Sequence, residues 1–132
     1  MSESQGEAKM GSITSVTVAY NGAEVLGRHL DALCRQTREL DEVIVVNNAS
    51  TDDTLTLLAT KYPGVKILDL PENVGVGGGY GAGLAYAALD KKHDWIWLFD
   101  QDSVPAETCL ESLLKALEGL RASAESTAVL AP

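Results

Sequence analysis

The chain is poor in several residue types. Its 132 residues include 2 cysteines, 1 phenylalanine and 4 prolines, and only 10 lysines and arginines against 19 aspartates and glutamates. Cys34 and Cys109 are far apart and fall in no CxxC or Cys/His pattern. That excludes a zinc module or a disulfide framework and leaves two reduced thiols in a cytosolic protein as the simplest expectation. A net charge of −9 argues against nucleic acid or an anionic membrane as partner, since either needs a basic patch. No apolar run is long enough to span a bilayer. The polar start, MSESQGEAKMGS, lacks the apolar core of a signal peptide. No G-x-x-x-x-G-K-[ST] occurs, which excludes a P-loop. No Ser/His/Asp or Cys/His set can be assembled. Residues 1–11 read as a mobile tail, and 12–132 as one domain with a real core.

What is present is an alternation of apolar runs. Ile13 to Ala19, Glu42 to Val46, Val65 to Leu70 and Trp95 to Phe99 read as strands. The last, WIWLF, reads as buried on both faces, as in a parallel sheet. Between the strands, Glu24 to Arg35 places Leu26, Leu30, Leu33 and Cys34 on one stripe of a helix. Thr54 to Tyr62 is a second helix, preceded by an S-x-x-D capping box at Ser50 and Asp53. A small-residue helix covers Leu84 to Leu89, and a leucine face follows Pro105, which suits a helix's first turn. Ala128 to Ala131 starts like a fifth strand. The order β-α-β-α-β-α-β-α-(β) predicts an α/β fold: a Rossmann-like parallel sheet with helices on both faces.

Polar residues gather where the strands end. Tyr20-Asn21-Gly22, Asn47 to Asp52 and Asp100-Gln101-Asp102-Ser103 should open on one sheet edge, the edge where α/β sheets bind ligands. Asp100 and Asp102 point the same way on an extended segment. Two hard oxygen ligands with room for phosphate and water suit Mg²⁺ or Mn²⁺. The alternative is that they only cap a turn and the next helix. The segment VGVGGGYGAG, Val74 to Gly83, holds half of the 12 glycines. Gly77 to Ala82 fits the dinucleotide fingerprint G-x-G-x-x-[GA], yet it follows the third strand rather than the first. Close approach to a ligand and tight helix packing both remain open for it. His29 reads as partly exposed and His93 as a solvated loop residue.

Four segments together, VTVAYNG at 16–22, IVVNNASTDDT at 44–54, ENVGVGGGYGAG at 72–83 and WLFDQDS at 97–103, resemble the family 2 glycosyltransferases, which have a GT-A fold. DQDS is most similar to rhamnosyltransferase-like members, with galactofuranosyl transferases close by. The resemblance implies a dTDP- or UDP-linked sugar donor, inversion, and a glycan or lipid-linked acceptor. It implies that Ala19, Tyr20, Asn21, Asn47, Asn48 and Asp52 line the nucleotide pocket, with Asp52 near the base. Gly75, Gly77, Gly78 and Gly79 would pass the nucleotide sugar beside Asp100 and Gln101. Asp100 and Asp102 would serve ribose and metal. The family commonly has Asp where Asn47 stands, and close relatives often have Asn where Gly81 stands. Acceptor site and general base lie in the family's second half, so the resemblance places them beyond Pro132 and makes this the donor-binding half. It also leaves open a peripheral position at the inner face of the membrane, and self-association through the sheet edge that strand five would expose. Rival readings are a nucleotide-sugar-binding module without turnover, an NAD-binding Rossmann protein, and a plain interaction domain.

Overall fold

A computed structural model describes residues 11–123. The tail and the proposed strand at Ala128 to Ala131 lie outside the described residues, apart from Gly11. Four parallel strands form one sheet in the order β3-β2-β1-β4. They are β1 (Ile13–Ala19), β2 (Glu42–Asn47), β3 (Lys66–Asp69) and β4 (Trp95–Asp100). The helices are α1 (Leu26–Cys34), α2 (Thr54–Lys61), α3 (Gly75–Ala85) and α4 (Cys109–Ser123), with a π-helical turn at Tyr86–Asp90 continuing α3. β1 is rich in β-branched residues and buried along its length, as suits a strand with neighbours on both sides. The α/β sheet expected from the alternation is present.

Alternating side chains feed two cores. On one face Ile13, Val45, Trp97 and Phe99 meet Leu26, Leu30 and Leu33 of α1, Leu58 of α2 and Leu110 of α4. On the other, Val16, Ile44 and Val46 pack against Ala87 and, at its margin, Tyr80 and Ala82 of α3. Two of the six glycines of α3, Gly79 and Gly83, are explained here. A Cβ on Gly83 would lie 2.4 Å from Val16 Cγ1, and one on Gly79 would lie 2.8 Å from Val18 Cγ1. The helix therefore rides directly on the sheet.

Several expectations need correction. β4 lies at the edge of the described sheet rather than buried on both faces, and Leu98 is 43% exposed. α3 starts at Gly75, well before Leu84, because packing on the sheet outweighs glycine's poor helix propensity. Cys34 is exposed, off the buried stripe, and His29, expected to be partly exposed, is instead fully buried on the stripe's other flank. His93 is not a solvated loop residue: its Nε2 lies 2.7 Å from Glu42 Oε1 and its ring is largely covered. Pro105 precedes α4 by a loop; the helix start is instead capped by Gln36 Oε1, which accepts from the Leu110 amide at 3.0 Å. The Ser50–Asp53 capping box is not formed, since Ser50 Oγ accepts from the Asn21 amide at 3.0 Å. Asp52 caps in its place, accepting from the Thr54 amide at 2.9 Å.

Candidate functional site

The C-terminal ends of β1, β2 and β4 open on one pocket of about 980 Å³. Tyr20, Asn21, Gly22, Glu24 and Val25 supply one wall, Asn48 and Asp52 a second, Asn73, Gly75, Val76 and Tyr80 a third, and Asp100, Gln101 and Asp102 the fourth. Parallel strands all end on this edge, and this is why residues so distant in sequence meet here.

The polar side chains of these turns hold one another. Gln101 Oε1 accepts from the Tyr20 amide at 3.0 Å, and its Nε2 donates to the Tyr20 carbonyl at 3.2 Å. That pair of hydrogen bonds splices the end of β4 to the end of β1. Gly22 makes room for it: a Cβ there would lie 2.2 Å from Gln101 Oε1. Asn21 sits in the left-handed region at φ 48, which asparagine tolerates. Its Oδ1 accepts from the amides of Thr51 at 2.7 Å and Asp52 at 3.2 Å. The Gly22 amide donates to Thr54 Oγ1 at 2.9 Å, and that hydroxyl donates to Asp52 Oδ1 at 2.5 Å. The Thr54 hydroxyl, foremost, holds the Asp52 pKa below the ordinary carboxylate value. Asn48 grips the glycine turn with both ends of its amide. It accepts from the Val74 amide at 3.0 Å and donates to the Gly75 carbonyl at 2.9 Å. Tyr80 donates from α3 to the Phe99 carbonyl at 2.6 Å, with Asp100 Oδ1 3.3 Å away. Burial, then the Asp100 charge, push its phenol pKa up.

The sequence model of Glycosyl transferase family 2 matches residues 14–131. The chain belongs to that family. It is 34% identical over 102 residues to the galactofuranosyltransferase GlfT1 of Mycolicibacterium smegmatis, covering 77% of this chain and 33% of that protein. It is 34% identical over 95 residues to the succinoglycan biosynthesis protein ExoO of Rhizobium meliloti, covering 71% of this chain and 26% of the other. The chain thus spans about a third or less of the curated relatives it matches. Among solved structures, S. aureus TarS 1-349 in complex with UDP superposes with a TM-score of 0.70 at 20% identity, over 83% of this chain and 33% of that one. The mannosyltransferase PcManGT from Pyrobaculum calidifontis, in complex with GDP-Man and Mn²⁺, gives 0.67 at 25% identity, over 83% and 32%. The GT-A fold is shared with both.

Of the residues that the family resemblance marked, Tyr20, Asn21, Asn48, Asp52, Gly75, Asp100, Gln101 and Asp102 line the pocket. Ala19, Asn47, Gly77, Gly78 and Gly79 do not. Ala19 is fully buried in the core, and Gly79 is covered by the sheet. Asn47 is also buried, its Nδ2 donating to Asp69 Oδ1 at 2.9 Å and its Oδ1 accepting from the Ser50 amide at 3.3 Å. It is a donor braced against β3. Asn47→Asp should therefore cost about 1–3 kcal/mol, because it removes that donor and sets two carboxylates opposite each other on paired strands. Urea unfolding at neutral pH measures it; an unchanged midpoint would dissolve the Asn47–Asp69 pair. Val18, Gly22, Glu24, Val25, Asn73, Val76 and Tyr80 also line the pocket. Of these, Tyr80 carried a legible sign: a lone aromatic inside the glycine run.

The donor set bears on whether a metal fits. Glu24, Asp52, Asp100 and Asp102 bring four carboxylates to the pocket wall, and among the described residues no lysine, arginine or histidine lines it. Among the described residues no three His, Cys, Asp or Glu side chains converge to hold an ion. Asp100 ends β4, while Asp102 lies in the turn that the Ser103 amide closes onto the Asp100 carbonyl, so the extended segment expected to aim both the same way is not formed. Both carboxylates are nevertheless exposed at the pocket and fit a hard cation that takes its other ligands from a diphosphate and water. No helix among the described residues is long and apolar enough to cross a membrane.

Proposed function

We propose that this chain is the donor-binding half of an inverting glycosyltransferase that uses Mg²⁺ or Mn²⁺ and a dTDP- or UDP-linked sugar. One observation carries the reading: the described lining of the pocket brings four carboxylates and no cationic side chain. A diphosphate would be repelled there unless it arrived with a divalent cation. Asp100 and Asp102 would hold that cation. Tyr20, Asn21 and Asp52 would border the nucleoside, and Gly75 the sugar side. When bound, the cation supplies charge neutralisation to the leaving diphosphate. The chain's own part is to hold two carboxylates in register, through the Gln101 splice and the Tyr80 hydroxyl, and to present an ordered floor to the nucleotide. Rhamnose and galactofuranose are the sugars to test first. The relatives' names support the second, and the DQDS form the first. The acceptor would be a hydroxyl of a glycan or a lipid-linked glycan, and its deprotonation falls to a base outside the residues placed here.

The test is calorimetry with UDP, dTDP, GDP and NADH, each with Mn²⁺ and with EDTA. UDP or dTDP should bind in Mn²⁺ and at least tenfold more weakly in EDTA, the scale of one charge-assisted contact. Metal-independent NADH binding would establish the Rossmann reading instead. Incubation with radiolabelled dTDP-rhamnose or UDP-galactofuranose and a panel of acceptors should give binding without transfer. Transfer by this chain would place the base among its own residues.

A further inference from the structure

His29 stands apart from the rest of α1. It occupies a place on the helix's buried stripe, between Leu26, Leu30 and Leu33, and it is fully buried. An apolar side chain would fill such a place at less cost, because a buried polar ring needs a partner at each nitrogen. Both partners are present. Nε2 lies 2.8 Å from Thr17 Oγ1 of β1, and Nδ1 lies 2.6 Å from the Ser103 carbonyl oxygen. A carbonyl only accepts, so Nδ1 carries a proton, and in the neutral ring Nε2 then accepts from the threonine hydroxyl. Phe99 stands edge-on to the ring, 5.1 Å between centroids. Burial holds the imidazole below its usual pKa, against the opposing pulls of the Ser103 carbonyl and the Asp102 charge. The neutral ring with its proton on Nδ1 satisfies both bonds, and burial favours that form.

The bond to Ser103 reaches the acidic turn. The Ser103 amide donates to the Asp100 carbonyl at 3.2 Å, closing the turn from within. The Ser103 carbonyl is then tied to His29 from below. Asp102 lies between these two anchors, and its side chain is exposed. Its place is set by the backbone on either side rather than by packing of its own.

We infer that His29 is a positioning residue for Asp102: by holding the Ser103 carbonyl it sets where the Asp102 carboxylate meets the cation of a nucleotide diphosphate. The inference rests on the metal-assisted reading above. Take His29 away, and the Ser103 carbonyl loses its donor and the turn gains freedom. Ligand distances to a small cation tolerate errors of only a few tenths of an ångström. The nucleoside side of the pocket, built by β1 and β2, should not notice.

The experiment compares His29→Leu and His29→Asn with the unaltered chain. Each is titrated with UDP in Mn²⁺ and with UMP in EDTA, and its unfolding midpoint is recorded. His29→Leu should lose about fivefold or more of the gain that Mn²⁺ gives to UDP binding, one hydrogen bond's worth. Its affinity for UMP in EDTA should stay within about twofold. His29→Asn, whose amide can donate to Ser103, should recover most of the gain. A full Mn²⁺ gain in folded His29→Leu overturns the inference, as does an equal loss of UMP binding in EDTA, which would mark a general structural role. If the unaltered chain binds UDP equally in Mn²⁺ and EDTA, the functional reading falls and the inference with it. Should His29→Leu not fold, nitrogen-15 NMR of the unaltered chain decides. The His29 ring should show a slowly exchanging Nδ1 proton that shifts on adding Mg²⁺ with UDP, and not on adding UMP in EDTA. An unmoved resonance overturns the inference.

Discussion

In Mn²⁺, Asp102→Asn is expected to bind UDP at least ten times more weakly than the unaltered chain. The substitution keeps the side chain's shape and removes its charge. A charge-assisted contact contributes about 1.5–3 kcal/mol, and 1.4 kcal/mol is already tenfold. Asp102 is exposed, so the fold should survive, and the unfolding midpoint should move little. In EDTA the two proteins should be closely matched. Calorimetry with Mn²⁺ and with EDTA checks all of this. Equal affinities in Mn²⁺ would remove Asp102 from the site.

The largest effect on stability should come from the far side of the sheet. Gly83→Val is expected to destabilise the chain by about 2–4 kcal/mol, the cost of overpacking a closed core. Its Cβ would meet Val16 Cγ1 at 2.4 Å and Val46 Cγ2 at 3.1 Å. Both are fully buried in the sheet, so neither can swing out to water. Gly81 lies two residues away with nothing within 4 Å of its added Cβ. Gly81→Ala should therefore raise stability by about 0.5–1 kcal/mol through helix propensity alone. Thermal melts of the two variants test the contrast. A Gly83→Val chain as stable as Gly81→Ala would mean that α3 does not ride on β1 and β2.

The strands and their order along the chain were legible because short apolar runs, each ended by a polar turn and alternating with helical stripes, leave little choice. That the three turns meet also followed, since parallel strands share an edge. Spatial order was harder. WIWLF looks equally apolar in the middle of a sheet or at its rim, and Leu98 shows its exposure only once β4 is seen to have one described neighbour. The roles of individual polar residues were least legible. Gln101 pairs with the backbone of a residue 81 positions away, and no local pattern announces such a bond. Asn47 and Asn48 look alike in the chain, yet one braces β3 and the other grips the glycine turn. The strand's alternation sends neighbours to different places. Glycine was ambiguous in a different way. Gly79 and Gly83 make room for the sheet, whereas Gly75 sits at φ +80 to enter the helix, and the sequence writes all three with one letter. His29, expected to be partly exposed, did leave a sign which that expectation passed over: it lies three residues from Leu26 on the apolar stripe, and it is buried.

The mutual bonding of the pocket turns bears on how donor preference can change over generations. Asn21, Asp52 and Thr54 each depend on the next for a hydrogen-bond partner, and Gln101 fits only while position 22 has no side chain. A lone substitution at any of them unsettles its neighbours before it offers a new contact to a ligand. Routes to a different sugar nucleotide should therefore pass through paired exchanges, with strong epistasis within the ring of turns. Val76 and Glu24, exposed on the rim and outside that ring, are the positions where drift can proceed one step at a time.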